Sequence, residues 1–302
     1  MDIEDLPTQK IAKYQVISAS RREDIPAHRL HWFIRAIRRG YIEVKNPKSN
    51  LTHVVCLNPK EKNGPNVICW WSKDYKKWIL HHQKHPHDFG QFVNYFNFTI
   101  NSESSLEHLN SSLEERLKQL EWITKTFGAI AVNLRFDPIV FWKDINGEEH
   151  NNLKDFELIV SRASSLGINH VVFSFCIWFP QVAKNMKKCG KTPVNIPITR
   201  KHEILDDLLQ IATKYGIILE ACCSNNLVGY KGKNGGIVGS SACINGKIIA
   251  ELLGNIKLRS KRKDPGQRKE CNCVLSREVG DYDVGCKHGC EYCYAKPILQ
   301  VE

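Results

Sequence analysis

The sequence has little that would place the protein in a membrane or in an export pathway. It contains no run of about 18 apolar residues, which argues against a transmembrane helix. Its first ten residues, MDIEDLPTQK, are acidic and polar and lack the apolar core of a signal peptide. No internal repeat or low-complexity tract is evident. With 42 % hydrophobic and 25 % charged residues, the sequence predicts an ordinary globular protein that is cytoplasmic and has no membrane partner.

Acidic residues are in the minority, 32 Asp and Glu against 43 Lys and Arg, which gives a formal net charge of +11. This excess favours an anionic small molecule or a nucleic acid as partner, but it is equally compatible with solubility alone. Much of the charge lies in residues 257–269 (KLRSKRKDPGQRK), which hold seven basic residues and one acid. Pro265 and Gly266 in this segment predict an exposed loop.

Apolar strand patterns alternate with helical patterns along most of the chain. Residues 14–20 (YQVISAS), 66–72 (NVICWWS) and 94–100 (NYFNFTI) are predicted strands, and residues 105–128 carry leucines at steps of three and four, typical of a helix. Residues 41–46 (YIEVKN) and 52–58 (THVVCLN) are predicted to be short strands of a hairpin. Near-continuous apolar strands are expected where both faces of a sheet are covered. The alternation therefore predicts an α/β protein with a parallel sheet and right-handed crossovers.

Seven or eight strand candidates are enough for a complete or partial TIM-like (β/α) barrel, and a doubly wound open sheet is the rival. We expect residues 1–256 to form the barrel-like domain. Residues 257–302 would be a basic loop and a cysteine-rich tail packed on the barrel rim, within one structural unit.

Polar residues follow several of the predicted strands, where the active site of a (β/α) barrel is built. The candidate catalytic residues are Arg21, Asp24, Arg135 and Asp137. The arginines suit a carboxylate or phosphate in fork geometry, and the aspartates could hold the arginines or a sugar hydroxyl. Ser18 and Arg22 are candidates for cofactor binding. For any single one of these residues, a local salt bridge or hydrogen bond is the competing interpretation.

Three of the twelve cysteines form the pattern C-x3-C-x2-C in CKHGCEYCYA, namely Cys286, Cys290 and Cys293. A chain without an export signal is not expected to use cysteines as a disulfide framework. Zinc sites usually use C-x2-C with a distant second pair. Three thiols within eight residues instead suit three irons of a [4Fe-4S] cluster and leave the fourth iron free for another ligand.

Four further cysteines are candidate metal ligands: Cys222, Cys243, Cys271 and Cys273. One of them could supply a fourth thiolate, or together they could hold a second cluster or a zinc ion. Free cysteines are also common as small buried hydrophobes, which is the alternative for Cys222 and Cys243. The remaining cysteines are predicted to be structural: Cys56, Cys69, Cys176, Cys189 and Cys223.

The C-x3-C-x-aromatic-C pattern resembles that of radical S-adenosylmethionine enzymes. In that superfamily S-adenosylmethionine chelates the fourth iron, and one electron from the cluster cleaves it to a radical that abstracts hydrogen from the substrate. The resemblance implies an external one-electron donor and a role for Tyr292 in shielding the cluster or packing on adenine. The motif lies early in that superfamily but late here, and NGGIVG at residues 234–239 lacks the acid of the superfamily's Gly-Gly-Glu stretch.

The segments ISASRREDIPA, RFDPI and QRKECNC…GCKHGCEYCYA together resemble an uncharacterised bacterial and archaeal family. That family is known as a domain of unknown function with a C-terminal cysteine cluster like that of radical S-adenosylmethionine proteins. The resemblance spans nearly the full chain and implies an iron–sulfur cluster, but it implies no substrate. Some relatives carry names taken from DNA photoproduct repair lyases.

Three hypotheses follow. The first is a [4Fe-4S] enzyme of radical S-adenosylmethionine type that acts on an anionic or nucleotide-like substrate. The second is a nucleic-acid-binding or DNA-repair-associated protein with a closed structural or redox cluster. The third is a module with a structural zinc site at its C-terminal end and no catalytic activity. The spacing of the motif favours a cluster over zinc, and the strand-end polar residues favour the enzyme. The oligomeric state cannot be inferred from the sequence.

Overall fold

The computed structural model describes residues 11–46, 49–254, 258–281 and 283–300. Short segments rich in β-branched and aromatic residues form the strands, as expected for buried pleated surfaces. In chain order the strands are β1 (Val16–Ala19), β2 (Tyr41–Lys45), β3 (Thr52–Cys56), β4 (Val67–Ser72), β5 (Val93–Thr99), β6 (Val132–Ile139), β7 (Phe141–Lys143), β8 (Glu149–Asn151), β9 (His170–Phe175), β10 (Thr192–Pro193), β11 (Ile218–Ala221), β12 (Gly239–Ser240) and β13 (Arg277–Glu278).

The helices connect these strands and cover the sheet. They are α1 (Leu30–Arg39), α2 (Lys76–Lys84), α3 (Pro86–Gly90), α4 (Leu113–Phe127), α5 (Phe156–Ser165), α6 (Pro180–Lys188), α7 (Ile198–Lys214) and α8 (Gly246–Leu252). Local chemistry fixes several of their ends. Gly40 adopts the left-handed φ of 85° that ends α1. Ser112 and Glu115 form a reciprocal capping box that begins α4.

Eight of the strands form one parallel sheet in the order β12-β11-β9-β6-β5-β4-β1-β13. From β1 to β12 the spatial order follows the chain order without a reversal, whereas a doubly wound sheet reverses direction at a switch point. The structure therefore confirms the α/β class and the parallel sheet. Among the described residues no strand ladder joins β12 to β13, so the closed ring of a complete barrel is not seen.

The strand β13 lies in the cysteine-rich tail, yet it belongs to the main sheet. It pairs in parallel with β1, with Ile17 opposite Arg277 and Ser18 opposite Glu278. The tail thus contributes a strand beside the first strand of the chain.

Two smaller sheets lie outside the main one. β2 and β3 form an antiparallel hairpin, as their sequences predict, and β10, β7 and β8 form a three-stranded sheet. No helix in the described part of the chain is long and apolar enough to cross a membrane.

Aromatic side chains between the sheet and its helices form the centre of the core. Trp70 of β4 contacts Phe33, Trp78 and Phe89 in edge-on geometry, with ring centroids 5.1–5.7 Å apart. Burial of each such side chain contributes about 1.5–3 kcal/mol, so this cluster is a main source of stability. It leaves the carboxyl ends of the strands free to build a site.

Candidate active site and metal centre

A cavity of about 860 Å³ lies at the carboxyl ends of the strands in the main sheet. This volume lies within the usual range for small-molecule and cofactor sites. All eight strands contribute lining residues at or just after their carboxyl ends: Arg21 after β1, Trp71 of β4, Thr99 of β5, Arg135 and Asp137 of β6, Ser174 of β9, Cys222 after β11, Cys243 after β12 and Glu278 of β13. The location is the one that parallel α/β sheets use for catalysis and ligand binding.

Nine of the twelve cysteines line this cavity. They fall into two groups and one single residue. The motif thiols are Cys286, Cys290 and Cys293. The five-thiol group is Cys222, Cys223, Cys243, Cys271 and Cys273. Cys176 at the end of β9 is the ninth. All of them are free cysteines, so the structure contains no disulfide among them.

The motif loop is held against the amino-terminal part of the chain by a buried hydrogen bond. His288 Nε2 lies 2.8 Å from Asp24 Oδ2. Asp24 also accepts hydrogen bonds from Ala27 N, Ser72 Oγ and Lys73 N. Burial opposes ionisation of Asp24, but its neighbours, His288 first, outweigh burial and lower its pKa. Asp24, a predicted catalytic residue, thus lies on the cavity wall with its oxygens engaged by four donors.

Tyr292 of the motif is fixed by a second buried network. Its hydroxyl donates to Glu107, and Lys73 Nζ lies 2.9 Å from the Tyr292 oxygen and 3.1 Å from Glu107 Oε1. Asn101 donates to Glu107 at 2.8 Å. The ring of Tyr292 packs in an apolar cluster with Leu106 and Cys290. The polar end of Tyr292 is therefore satisfied by protein, and its ring stands beside a motif thiol.

Cys290 of the motif is buried, and Cys286 and Cys293 are half-buried. Burial raises the pKa of Cys286 to about 12 and raises the pKa of Cys290 and Cys293 as well. The Lys73 ammonium opposes this rise at Cys290 and Cys293. Thiols in such surroundings lose their protons when they bind a metal. Metal binding and the ordering of this loop are therefore coupled.

Arg135 and Asp137 form a buried ion pair at the end of β6. Asp137 also accepts from Ser174 Oγ, and Arg135 Nη1 contacts Cys243 Sγ. Burial alone would lower the pKa of Arg135, but Asp137 and Cys243 raise it well above its usual value. These two predicted catalytic residues thus meet in space, and they connect the five-thiol group to the strand β9.

Arg21 lies against the ring of Trp71, and its buried Nη2 atom finds no hydrogen-bond partner among the described residues. Its guanidinium carbon lies 4.7 Å from the Trp71 ring centroid, and Arg135 lies 5.5 Å from the same centroid. Ser18 donates to Glu278 at 3.0 Å and accepts from Trp71 Nε1 at 3.0 Å. Ser18 is therefore a support for the cavity wall.

Arg22 and part of the basic segment also border the cavity. Arg22 Nη1 donates to the Gly280 carbonyl at 3.0 Å. Residues 264–268 line the cavity, while the basic side chains at 261–263 and 269 are exposed. Residue 257 of the predicted basic loop lies outside the described residues. The segment is thus partly a wall of the site and partly an exposed cationic surface.

The cavity lining also includes Ser174, Cys176 and Cys223, which the sequence analysis did not assign to the site. Ser174 and Cys176 lie at or just after the end of β9, so the strand-end rule applied to every predicted strand would have found them. Cys223 follows Cys222 directly and was expected to be structural. Its φ of 50° is left-handed, which no feature of the local sequence indicates.

The fold and the cavity define an α/β protein whose cysteine-lined site opens at the strand ends. The chain matches the family described as "Domain of unknown function (DUF1848)" over residues 16–295, and it belongs to that family. This confirms the predicted resemblance to a domain of unknown function. The match does not bear on the likeness to radical S-adenosylmethionine enzymes, which stays a prediction. No curated protein matches the chain.

Proposed function

We propose that this protein is a [4Fe-4S] enzyme of radical S-adenosylmethionine type that acts on an anionic or nucleotide-like substrate. The observation that carries the proposal is the placement of the three motif thiols on the wall of a large cavity at the carboxyl ends of eight strands. Such a cavity can accommodate a cluster, a second cofactor and a substrate fragment together. The cytoplasmic location stays part of this proposal.

The donor set fits a cluster with one open iron. Cys286, Cys290 and Cys293 supply three thiolates from one short loop, which matches three corners of a cube. The bound pair of cluster and S-adenosylmethionine would supply one-electron chemistry, which the side chains of the protein cannot supply alone. An external one-electron donor is therefore part of the proposal.

The protein's own residues would bind and orient the ligands. Seven Lys and Arg residues against five Asp and Glu line the cavity, which favours an anion. The buried Arg21 Nη2, without a partner among the described residues, is a hydrogen-bond donor suited to a carboxylate or phosphate. Trp71 is half-buried on the same wall, and its ring packs against the guanidinium groups of Arg21 and Arg135 and so helps to hold these cations at the cavity.

We further propose that the sheet curves as a partial barrel. The cavity draws residues from the two edge strands as well as from the central ones, which a curved sheet allows and a flat sheet of this width does not. The motif thiols and the five-thiol group would then face each other across one rim.

A second candidate is a closed cluster in a nucleic-acid-binding or repair-associated protein. The specific observation is Cys176, which lines the cavity as the motif thiols do. Burial is the main cause of its raised pKa, and the charges of Asp137 and the nearby Cys293 add to it. A fourth thiolate from Cys176 would leave no open iron. The exposed basic residues 261–263 and 269 would then bind phosphates in a salt-dependent way.

The deciding experiment uses anaerobically purified and reconstituted protein. Iron and sulfide are quantified, and the EPR spectrum of the dithionite-reduced protein is recorded with and without S-adenosylmethionine. We expect a [4Fe-4S]⁺ signal that shifts on addition, together with 5′-deoxyadenosine in the mixture. Cys290→Ser should abolish the shift caused by S-adenosylmethionine and the formation of 5′-deoxyadenosine, and Cys56→Ser, which lies outside the cavity, should change neither.

The contrary results separate the alternatives. A cluster signal that is indifferent to S-adenosylmethionine in the wild type, but responds to it in Cys176→Ser, would identify the closed cluster. Zinc bound at the motif thiols without iron would contradict both candidates.

A further inference from the structure

We propose that the five-thiol group is a second metal centre, in which four of the five thiolates bind a second [4Fe-4S] cluster. This inference does not depend on the S-adenosylmethionine chemistry proposed for the motif thiols. It differs from the expectation drawn from the sequence because it adds Cys223 to the site and favours a cluster over zinc.

The first argument is the convergence of three separate segments. Cys222 and Cys223 follow β11, Cys243 precedes α8, and Cys271 and Cys273 lie in the tail. Their side chains form a continuous ring of contacts, because each thiol interacts with two others in the order 222, 223, 271, 273, 243 and back to 222. The Sγ atoms of Cys222 and Cys243 lie 3.4 Å apart. Hydrophobic burial alone does not explain why five cysteines from three segments of the chain meet at one place.

The second argument is the backbone of Cys223. Consecutive side chains of an extended segment point to opposite sides, which would send Cys223 away from Cys222. A φ of 50° at Cys223 instead brings both thiols into the same group. This conformation is unfavourable for a residue other than glycine, and such strain is retained mainly where a site requires it.

The third argument is the surrounding charge. Arg135 contacts Cys243 Sγ, and the Ile244 amide donates to Cys273 Sγ at 3.3 Å. Arg21 and Arg268 line the same cavity as the five thiols. Three arginines thus border the thiols. A cluster with four thiolates carries net negative charge, which these cations and the amide would stabilise.

The spacing of the sulfurs favours a cluster over zinc. A tetrahedral zinc ion holds its four sulfurs about 2.3 Å from one point, so that all of them are near neighbours. Among the described residues, no three of the five sulfurs all lie within 4.8 Å of one another. The ring of five thiols is therefore wider than the tetrahedron around one zinc ion. The Sγ atoms of Cys222 and Cys243, 3.4 Å apart, are closer together than thiolates on two corners of a cube, so one of these two is the thiol that does not bind the cluster.

The test measures iron, sulfide and zinc in reconstituted protein, with Mössbauer spectra to assign the iron. The second-site variant combines Cys243→Ser, Cys271→Ser and Cys273→Ser, and the motif variant combines Cys286→Ser, Cys290→Ser and Cys293→Ser. We expect about eight irons in the wild type and about four in each variant, since each [4Fe-4S] cluster holds four. The control Cys56→Ser should keep the wild-type count.

The motif variant leaves the five-thiol group intact, so its remaining iron tests the inference even where the second-site variant fails to fold. A motif variant without iron, with about four irons in the wild type, would overturn the inference and leave the proposed function standing. Iron that disappears only in the second-site variant would support the inference and contradict the proposed function. Zinc at the second site, or a disulfide between Cys222 and Cys243 in anaerobic protein, would also overturn it.

Discussion

The imidazole of His288 lies 2.8 Å from the carboxylate of Asp24, a residue 264 positions earlier in the chain. Asp24 also caps the helical turn Ile25–Arg29, because its Oδ1 accepts from Ala27 N at 2.9 Å. One carboxylate therefore fixes the loop after β1 and the cysteine motif at the same time. Any change at Asp24 should affect both the local helix and the geometry of the motif thiols.

Replacing Asp24 by Ala should destabilise the fold and reduce iron binding together. Loss of the cap costs about 0.5–2 kcal/mol, and each buried donor left unpaired costs about 1–3 kcal/mol more. Urea unfolding and the iron content of reconstituted protein measure the two effects. Asp155→Ala is the matched control, because Asp155 occupies the N-cap of α5 without a side-chain capping bond. Equal effects of the two substitutions would contradict this role of Asp24.

Glu107→Gln should be strongly destabilising because it leaves the buried Lys73 ammonium without its anionic partner. Removing one member of a buried pair costs about 3–5 kcal/mol, whereas an exposed helical pair contributes under about 1 kcal/mol. Glu121→Gln, which breaks the exposed pair of Glu121 and Lys125 in α4, is the control. Chemical denaturation of both variants makes the comparison. If Glu107→Gln lowers the free energy of unfolding no more than Glu121→Gln does, the buried network contributes little to stability.

Stability near Asp88 should depend on pH. The hydrogen bond from Arg38 is the largest cause that lowers the pKa of Asp88, and His81 adds to it. A carboxylate whose pKa is lower in the folded state stabilises the protein above its unfolded pKa, and this stability is lost as the pH falls through the folded pKa.

Asp88→Asn should therefore lower the unfolding midpoint at pH 7, and the difference from the wild type should shrink as the pH falls below about 4, the usual range for an aspartate. Urea titrations at pH 7 and in acid give the two differences. A difference that stays constant across this range would rule out the ion pair as its source.

Removing metal with a chelator under anaerobic, reducing conditions should loosen the tail selectively. Metal binding supplies folding free energy where the ligands converge only in the folded state. Hydrogen exchange should become faster in residues 258–281 and 283–300 and stay unchanged in α4, which packs in the core through Leu117 and Leu120. Equal acceleration in α4 would indicate global unfolding, and no acceleration in the tail would contradict metal binding there.

Local sequence signals predicted much of the sheet. The apolar segments around Ile17, Ile68 and Phe96 are β1, β4 and β5, and the hairpin of β2 and β3 was also predicted. These elements follow from β propensity and from turn residues, which act over a few positions. Gly40 ends α1 for the same reason. The strand-end residues Arg135 and Asp137 then meet at one cavity, because parallel strands present their carboxyl ends together.

Other features depend on contacts that no local pattern reveals. The leucine spacing predicted a helix from residue 105, but α4 begins at Leu113, after the Ser112 cap. Leu106 instead packs beside Cys290 and Tyr292 of the motif. Neither residue of β13 is apolar, so its place in the sheet depends on the partner strand rather than on propensity.

The pairing of β13 with β1 gives this protein an order of assembly. On the ribosome, β1 is made early, but one of its two edges stays unpaired until residues 277 and 278 have been synthesised. The hydrogen bond between Ser18 and Glu278 closes a loop across 260 positions, a long-range contact of the kind that slows folding. Both groups of cavity cysteines include residues from this late segment. Assembly of the cavity therefore waits for the synthesis of these cysteines, and a chain truncated before residue 277 would expose an open sheet edge that favours aggregation.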